Sequence, residues 1–136
     1  GVLKHWFLST SAARELGLET NGRGVRGGTA VSPASSNLAL EPGDLSPEDL
    51  LRQVGTGFYV TELIGHGANM ITGEYSCGAS GFWIENGEKT FAVSEVTIAS
   101  NLKDMFMRVT PANDIDRKYG VAAPTLAIEG MTIAGK

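Results

Sequence analysis

The sequence predicts an α+β fold in which antiparallel β-strands dominate and about three short helices intervene. Three observations support this class. Glycine contributes 18 of the 136 residues, about 13% against a usual share of about 7%, which is typical of turn-rich folds. The second half of the chain carries runs of β-branched, aromatic and alternating residues bounded by turn signals. Short segments that begin with a capping residue and end at glycine predict the helices.

The first predicted elements are a strand and a helix. The apolar run over residues 1–9 predicts a strand. A helix follows over 9–17, because Ser9 is a suitable N-cap and Gly17 a suitable C-terminal stop. Residues 20–37, rich in Gly and Ser, are predicted to form a loop whose length favours a functional or mobile role. A short strand is predicted over 37–41.

The clearest helix signal in the chain begins at Ser46. Ser46 is a natural N-cap, Pro47 suits the first helical position, and Glu48 and Asp49 interact favourably with the helix dipole. Gly55 ends this helix. Strands are then predicted over 58–64, 70–76, 81–85 and 88–93, with an extension over 96–98.

The last third of the chain supplies a hairpin turn, a helix and two strands. Asn86 and Gly87 predict a type I′ turn, in which both central residues adopt positive φ. A helix is predicted over 101–109, with an apolar face at i, i+3, i+4 and i+7. A loop over 110–120 and two final strands within 123–135 complete the prediction. The residues of the apolar face are Leu102, Met105, Phe106 and Val109.

Charge and cysteine content exclude several classes of protein. Eleven basic and fifteen acidic residues give a net charge of −4, without the clustered lysine and arginine that nucleic-acid binding needs. The sequence has no apolar run of the roughly 18 residues that span a bilayer. A single cysteine, Cys77, cannot form an intramolecular disulfide and favours a reducing compartment. We therefore predict a cytoplasmic protein that binds neither nucleic acid nor membrane.

The sequence offers few residues for a metal or nucleophilic site. The metal-ligand candidates are His5, His66 and Cys77, with Glu62 and Glu74 nearby in sequence, and their spacing matches no recognised ligand motif. A nucleophilic Cys77 would take His66 as its base, without a third group to orient the pair. We predict no catalytic residue and no metal ligand in this chain. A cysteine hydrolase that uses Cys77 and His66 remains one functional hypothesis, beside the two given at the end of this section.

Two glycine-rich segments have backbone groups that could bind a ligand. Segment 22–28 follows a helix and lacks the ending of a phosphate-binding loop, so nucleotide binding is not predicted. Segment 65–69 lies between two predicted strands, where small residues leave N–H and C=O groups accessible to an extended peptide. Turn chemistry alone explains the same composition. The candidate substrate-binding residues are Gly65, His66, Gly67 and Asn69.

Segments along almost the whole chain resemble, in order, the C-terminal region of the TldD/PmbA family. They include SPEDL at 46–50, GFWIENGE at 81–88 and NLKDMF at 101–106. In their details, these segments are more similar to the PmbA branch of the family, also called TldE, than to the TldD branch. The other resembling segments are 40–43, 57–63, 73–76 and 123–135.

This resemblance implies a subunit of a cytoplasmic metallopeptidase that acts on unfolded or extended peptides. Family members process a peptide antibiotic precursor and degrade an antitoxin, and older descriptions call them modulators of DNA gyrase. The family's zinc is held by the TldD subunit, through two histidines of a His-Glu…His helix and a cysteine near the C-terminus. Neither element maps onto this sequence. The histidine helix is expected upstream of Gly1, segment 111–124 has no cysteine, and Cys77 lies in a different motif.

The resemblance further implies that residues 1–136 are the C-terminal domain, a fragment, of a longer PmbA-like subunit. A chain that opens at Gly1 within an apolar run fits this expectation. Such a subunit would pair with a TldD-like subunit and complete the cleft around a threaded peptide, with zinc only on that partner. Pairing into a homodimer stays open. The alternative is a stand-alone α+β interaction module that binds an extended peptide strand without catalysis.

Overall fold

The computed structural model describes residues 2–135 and has the predicted α+β class, with mostly antiparallel strands and three helices within that range. None of these helices is long and apolar enough to cross a membrane. The helices are α1 (Thr10–Leu16), α2 (Pro47–Val54) and α3 (Leu102–Met107). The strands are β1 (Gly24–Gly27), β2 (Ala30–Pro33), β3 (Leu38–Ala39), β4 (Gly57–Ile64), β5 (Glu74–Glu85), β6 (Glu88–Asn101), β7 (Val109–Pro111), β8 (Val121–Ala122), β9 (Leu126–Ile128) and β10 (Thr132–Ala134).

The chain divides into two compact units. The first unit comprises the residues up to Leu40 together with Asp116–Ala122. It contains α1, the antiparallel pair β1–β2 and the short parallel pair β3–β8. The second unit comprises Glu41–Ile115 and the residues from Ala123 onward. It contains α2, α3, a four-stranded sheet and the antiparallel pair β7–β9.

In the first unit, α1 has both of its predicted ends. The Ser9 hydroxyl accepts a hydrogen bond from the Ala12 N–H at 3.3 Å, and Gly17 closes the helix at φ 66°, a left-handed conformation that glycine adopts without steric cost. The short strand predicted over 37–41 is present as β3, and it pairs with β8 in parallel.

The predicted strand over 1–9 is wrong for residues 2–9, which form no strand; residue 1 lies outside the described range. Side chains bind this backbone instead of a neighbouring strand. The Leu8 N–H donates to Asn21 Oδ1 at 2.9 Å, and Asn21 Nδ2 donates to the Trp6 carbonyl at 2.7 Å. Thr20 Oγ1 donates to the Leu8 carbonyl at 3.0 Å. These bonds satisfy the Leu8 N–H and the Leu8 and Trp6 carbonyls, which a neighbouring strand would otherwise pair.

The predicted loop over 20–37 is also wrong in part, because it contains the β1–β2 hairpin. The register runs from Gly24 opposite Pro33 to Gly27 opposite Ala30. Gly28 and Thr29 form the two-residue loop, and Gly28 at φ 64° fits the hairpin turn that takes glycine at its first central position. The sequence therefore held the signal, although the high glycine content favoured a loop.

In the second unit, α2 follows the prediction closely. Ser46 Oγ accepts a hydrogen bond from the Asp49 N–H at 3.1 Å, and Pro47 occupies the first turn. The helix buries Leu50 and ends before Gly55. The capping geometry and the dipole-compatible acidic residues explain why such a short segment is helical.

The sheet of the second unit has the order β10-β6-β5-β4 and is antiparallel throughout. Asn86 and Gly87 join β5 to β6 at φ 53° and 77°, as the hairpin prediction requires. The strand predicted over 70–76 is wrong for residues 70–73, which form a turn before Glu74. β5 and β6 are otherwise longer than predicted, since the separate runs merge into two continuous strands.

One face of this sheet carries the core. Cys77 and Ala79 from β5 are buried against Val96 and Ile98 from β6. Alternate side chains of β5 point inward as far as Gly81, after which a register shift between Phe82 and Ile84 changes the alternation. The partly buried residues packed against this core are Phe58, Tyr75, Val93 and Met131.

The predicted third helix is shorter than expected and its apolar face is not buried. Asn101 Oδ1 accepts from the Lys103 N–H at 3.1 Å and begins α3. The helix ends at Met107, and Val109 starts β7, which pairs with β9 where a loop was predicted. Phe106 remains 72% exposed. The two final strands predicted within 123–135 are present as β9 and β10.

Candidate functional site

The candidate substrate-binding segment, residues 65–69, follows the edge strand β4 and precedes β5. Gly65 bends the chain at φ 95°, a value that glycine tolerates best. His66 is exposed, and its imidazole has no hydrogen bond or ion pair to any residue in the described range 2–135. The histidine is therefore available to a ligand at this end of the sheet.

Residues 67–69 extend the sheet edge by pairing with the start of β5. The Ser76 N–H donates to the Gly67 carbonyl at 2.8 Å, and the Asn69 N–H donates to the Glu74 carbonyl at 2.8 Å. Ala68 forms an antiparallel bridge with Tyr75. This pattern directs the N–H and C=O of Ala68 away from β5. Part of the backbone that the sequence suggested for peptide binding is thus already used within the sheet.

The close pairing explains why residue 67 is glycine. A Cβ atom there would lie 2.8 Å from both the Cys77 Cβ and the Ser76 carbonyl oxygen. Asn69 has an internal role as well, because its Oδ1 accepts from the N–H groups of Ile71 at 2.9 Å and Thr72 at 3.2 Å. Gly67 and Asn69 therefore build the turn, and their contact with peptide stays a prediction, as it does for Gly65 and His66.

Cys77 lies beneath this segment and does not pair with His66. The thiol is only 5% exposed, and Sγ donates to the Ile64 carbonyl at 3.2 Å. Burial raises the pKa of the neighbouring Tyr75, and the proximity of Cys77 raises that pKa further. The described residues give Cys77 no adjacent base, which a cysteine nucleophile needs.

The donor set does not fit a zinc ion. Within residues 2–135, no three His, Cys, Asp or Glu side chains lie together in a way that could hold a metal. Structural and catalytic zinc sites take three or four such ligands. The Cys77 thiol already donates to a carbonyl, and His66 lies alone in its loop.

The second unit also contains a groove of about 690 Å³. It runs along α2, the core-bearing face of the sheet, and the β9 strand with the turn that follows it. Tyr75 contributes a polar phenol to a lining that is mainly apolar, so the groove suits apolar side chains. The apolar residues that line it include Leu51, Val54, Phe58, Ile84, Ile128 and Met131.

Comparison with known proteins identifies the class of this domain. It is the C-terminal domain of the PmbA/TldD metallopeptidases. Residues 1–135 match the family model described as "PmbA/TldA metallopeptidase C-terminal domain". The chain belongs to this family.

The curated relatives support the PmbA side of the family. The chain is 44% identical to Metalloprotease PmbA of Escherichia coli O157:H7, over 100% of this chain and 29% of that protein. It is 38% identical to the Metalloprotease PmbA homolog of Haemophilus influenzae, over 99% of this chain and 29% of that protein. The chain is 21% identical to a Metalloprotease TldD homolog of Buchnera aphidicola, over 99% of this chain and 32% of that protein. The chain thus spans about three-tenths of these relatives' length.

Solved structures share the fold. A Thermotoga maritima protein described as a candidate modulator of DNA gyrase is 36% identical with a TM-score of 0.85, covering 98% of this chain and 31% of that one. TldE from Thermococcus kodakarensis has a TM-score of 0.85 over 99% of this chain and 32% of its own, at 23% identity. The latter likeness concerns the fold alone.

Proposed function

We propose that this chain is the C-terminal domain of a PmbA/TldE-like subunit that pairs with a TldD-like subunit to form a cytoplasmic metallopeptidase. The pair cleaves unfolded or extended peptides, in reactions such as peptide maturation and antitoxin degradation. The TldD-like subunit carries the zinc. The present chain contributes no zinc ligand and no catalytic residue, and it helps to enclose the peptide.

The difference in identity between the two branches of the family carries this proposal. The chain is 44% identical to a PmbA protein and 21% identical to a TldD homolog, and each comparison covers at least 99% of it. A PmbA-like subunit of the pair is the role that this difference supports.

The open edge beside β4 is the part of this chain best suited to a peptide. An extended peptide adds to such an edge through main-chain hydrogen bonds, and these are largely independent of sequence. Ala68 presents its N–H and C=O on the side away from β5. His66 lies two residues before Ala68 and has a free imidazole among the described residues. We assign peptide contact to Gly65, His66, Gly67 and Asn69 on this basis.

Zinc analysis and a peptidase assay test the proposal. The full-length protein purified alone is expected to hold no stoichiometric zinc and to leave an unfolded peptide intact. Addition of a TldD-like subunit is expected to give chelator-sensitive cleavage. Stoichiometric zinc together with chelator-sensitive cleavage by the purified protein alone would refute the assignment of a non-catalytic subunit.

A stand-alone module that binds an extended strand without catalysis is the second candidate, and the open β4 edge favours it. Amide hydrogen exchange separates peptide binding at this edge from an inert turn. Added unfolded peptide is expected to slow exchange at Ala68, whose N–H faces outward, and to leave Asn69 unchanged, because its N–H is already bonded to Glu74. Equal exchange at Ala68 with and without peptide removes the segment as a binding site. Binding that persists without any effect on a TldD-like partner favours the module.

A further inference from the structure

The first unit contains a pocket of about 520 Å³ beside α1 and the β1–β2 hairpin. Four of its seven lining residues carry a hydroxyl or guanidinium group, and none of the seven is acidic. Thr10 and Arg14 are four residues apart on α1, so their side chains lie on one face of the helix. The other lining residues are Ser11, Thr20, Gly22, Gly24 and Val31.

The Arg14 guanidinium is the charged group of this pocket. It has no hydrogen bond or ion pair with any residue in the described range 2–135. A guanidinium group has five N–H donors and no acceptor, and it stays protonated at every physiological pH. The pocket therefore offers a positive charge and hydrogen-bond donors that the described fold does not use.

Two hydroxyl groups beside Arg14 supply further donors. The Thr10 hydroxyl has no hydrogen-bond partner in the part of the chain that the structure describes. Ser11 Oγ lies 3.1 Å from Ser9 Oγ, so the Ser9 hydroxyl can donate to Ser11 and leave the Ser11 hydrogen for a ligand. Together with the guanidinium, these groups match an acceptor that has two oxygens.

The remaining wall of the pocket is fixed by internal contacts. Thr20 Oγ1 donates to the Leu8 carbonyl at 3.0 Å and accepts from the Gly22 N–H at 3.3 Å. A Cβ atom at residue 24 would lie 3.0 Å from Val31 Cγ1, so glycine there permits the close approach. Thr20 shapes the pocket and has no hydrogen left to donate to a ligand.

The register of the hairpin places a second guanidinium at the rim of the pocket. Arg26 lies directly opposite Val31, and side chains of opposed residues share one face of a hairpin, with Cβ atoms about 4.5–5.5 Å apart. Because Val31 lines the pocket, Arg26 extends from the same face. Its guanidinium also has no hydrogen bond or ion pair among the residues that the structure describes.

The charge of the first unit favours an anionic ligand. Its residues carry six basic and three acidic side chains, a net charge of +3. The residues of the second unit carry five basic and twelve acidic side chains, a net charge of −7. The overall charge of −4 therefore conceals a basic unit, and a basic surface raises the local concentration of anions.

We propose that this pocket binds an acidic peptide segment through a side-chain carboxylate. The planar Arg14 guanidinium pairs with both carboxylate oxygens, and the Thr10 and Ser11 hydroxyls donate to the same two oxygens. These donors match the roughly four lone-pair sites of a carboxylate. Arg26 attracts a second acidic residue of the segment. The site goes beyond the proposed function and does not rest on it, because binding is measured without a TldD-like subunit and without cleavage.

Isothermal titration of the full-length protein with two matched peptides tests this proposal. One unstructured peptide carries several glutamates, and the other carries glutamine at the same positions. At low salt, the glutamate peptide is expected to bind at least roughly tenfold more tightly. The difference is expected to shrink as ionic strength rises to about 0.5 M, since the two guanidinium groups are exposed to solvent.

Three variants locate the binding site. Arg14→Met keeps the length of the aliphatic side chain and is expected to weaken binding of the glutamate peptide roughly tenfold. Arg26→Met is expected to weaken it roughly two- to fivefold, because Arg26 contributes charge from the rim. Lys118→Met is the matched control, since it removes one positive charge from the same unit at a residue outside the pocket. It is expected to leave the affinity unchanged.

Equal binding of the two peptides, or an Arg14→Met protein that binds as wild type does, overturns the proposal. Displacement of the glutamate peptide by inorganic phosphate, at a concentration at which glutarate of equal ionic strength does not displace it, assigns the pocket to phosphate and overturns the carboxylate assignment. Urea denaturation supplies a further check. A loss of stability in Arg14→Met, without peptide binding by the wild type, assigns Arg14 to an ion pair within the full-length protein and also overturns the proposal.

Discussion

Replacing Gly81 with alanine probes the point where both neighbours of β5 change register. The pairing of β4 with β5 shifts between Val60 and Glu62, and the pairing of β5 with β6 shifts between Ala79 and Gly81. A Cβ atom at residue 81 would lie 1.9 Å from the Tyr59 carbonyl oxygen. The obstacle is backbone, which cannot rotate away as a side chain does.

The geometry sets the size of the expected effect. Relief of the contact requires the two strands to separate by about 1 Å, and overpacking of this kind costs about 1–3 kcal/mol. The same movement weakens adjacent ladder hydrogen bonds, each worth about 0.5–1.5 kcal/mol. We therefore expect Gly81→Ala to lower the free energy of unfolding by about 2–5 kcal/mol, a large part of the roughly 5–15 kcal/mol that stabilises a typical domain.

Urea denaturation followed by far-ultraviolet circular dichroism measures this loss. Gly78→Ala in the same strand is the control, because its Cβ would meet the Ile64 Cβ at 3.4 Å, an ordinary contact. It is expected to change the free energy of unfolding by less than about 1 kcal/mol, since alanine also loses less conformational entropy than glycine. A Gly81→Ala protein within 1 kcal/mol of wild type would refute the assignment of a backbone clash.

Three further substitutions or modifications test local features of the second unit. Glu95 has φ 59°, a left-handed conformation that strains the backbone of a residue other than glycine. Glu95→Gly is therefore expected to raise the free energy of unfolding by about 0.5–1 kcal/mol in urea titration. A lower free energy of unfolding than wild type would contradict this backbone strain. Cys77 is 5% exposed, so iodoacetamide is expected to alkylate it at least about tenfold more slowly in the native state than in urea; equal rates contradict its burial. Two hydrogen bonds from Thr125 lower the pKa of Asp114, so its stabilising contribution is present above the unfolded pKa and is lost as pH falls through the folded pKa. The difference in free energy of unfolding between wild type and Asp114→Asn is therefore expected to shrink as the pH falls from about 6 to about 3. A difference that stays constant over this range argues against a lowered pKa of Asp114 in the folded protein.

The sequence correctly predicted those helices and turns whose sequence signals lie within a few neighbouring residues. Ser46 with Pro47 defines the start of α2, and Asn86 with Gly87 defines the hairpin between β5 and β6. Each signal acts through one short-range mechanism, a side-chain cap or a positive φ. Such mechanisms do not depend on what packs nearby, so they can be predicted from the sequence alone.

The failures arose where distant residues decide the outcome. The run over 2–9 has the composition of a strand, but Thr20 and Asn21 provide its hydrogen-bond partners. The candidate segment was correctly expected between two strands. Its pairing through Gly67 and Asn69 with β5 could not be predicted, because register depends on the bulges in the neighbouring strands. The exposed Phe106 likewise shows that helical periodicity identifies an apolar face and not what covers it.

Reconstitution with a TldD-like subunit tests the central claim most directly. Full-length protein and a TldD-like subunit, each purified separately, are mixed and assayed on an unfolded peptide, with zinc measured on each subunit. We expect zinc on the TldD-like subunit alone, a stable complex of the two proteins, and cleavage that depends on both and stops with chelator. A protein that neither binds the TldD-like subunit nor changes its activity, or that holds zinc and cleaves peptide unaided, would contradict the account.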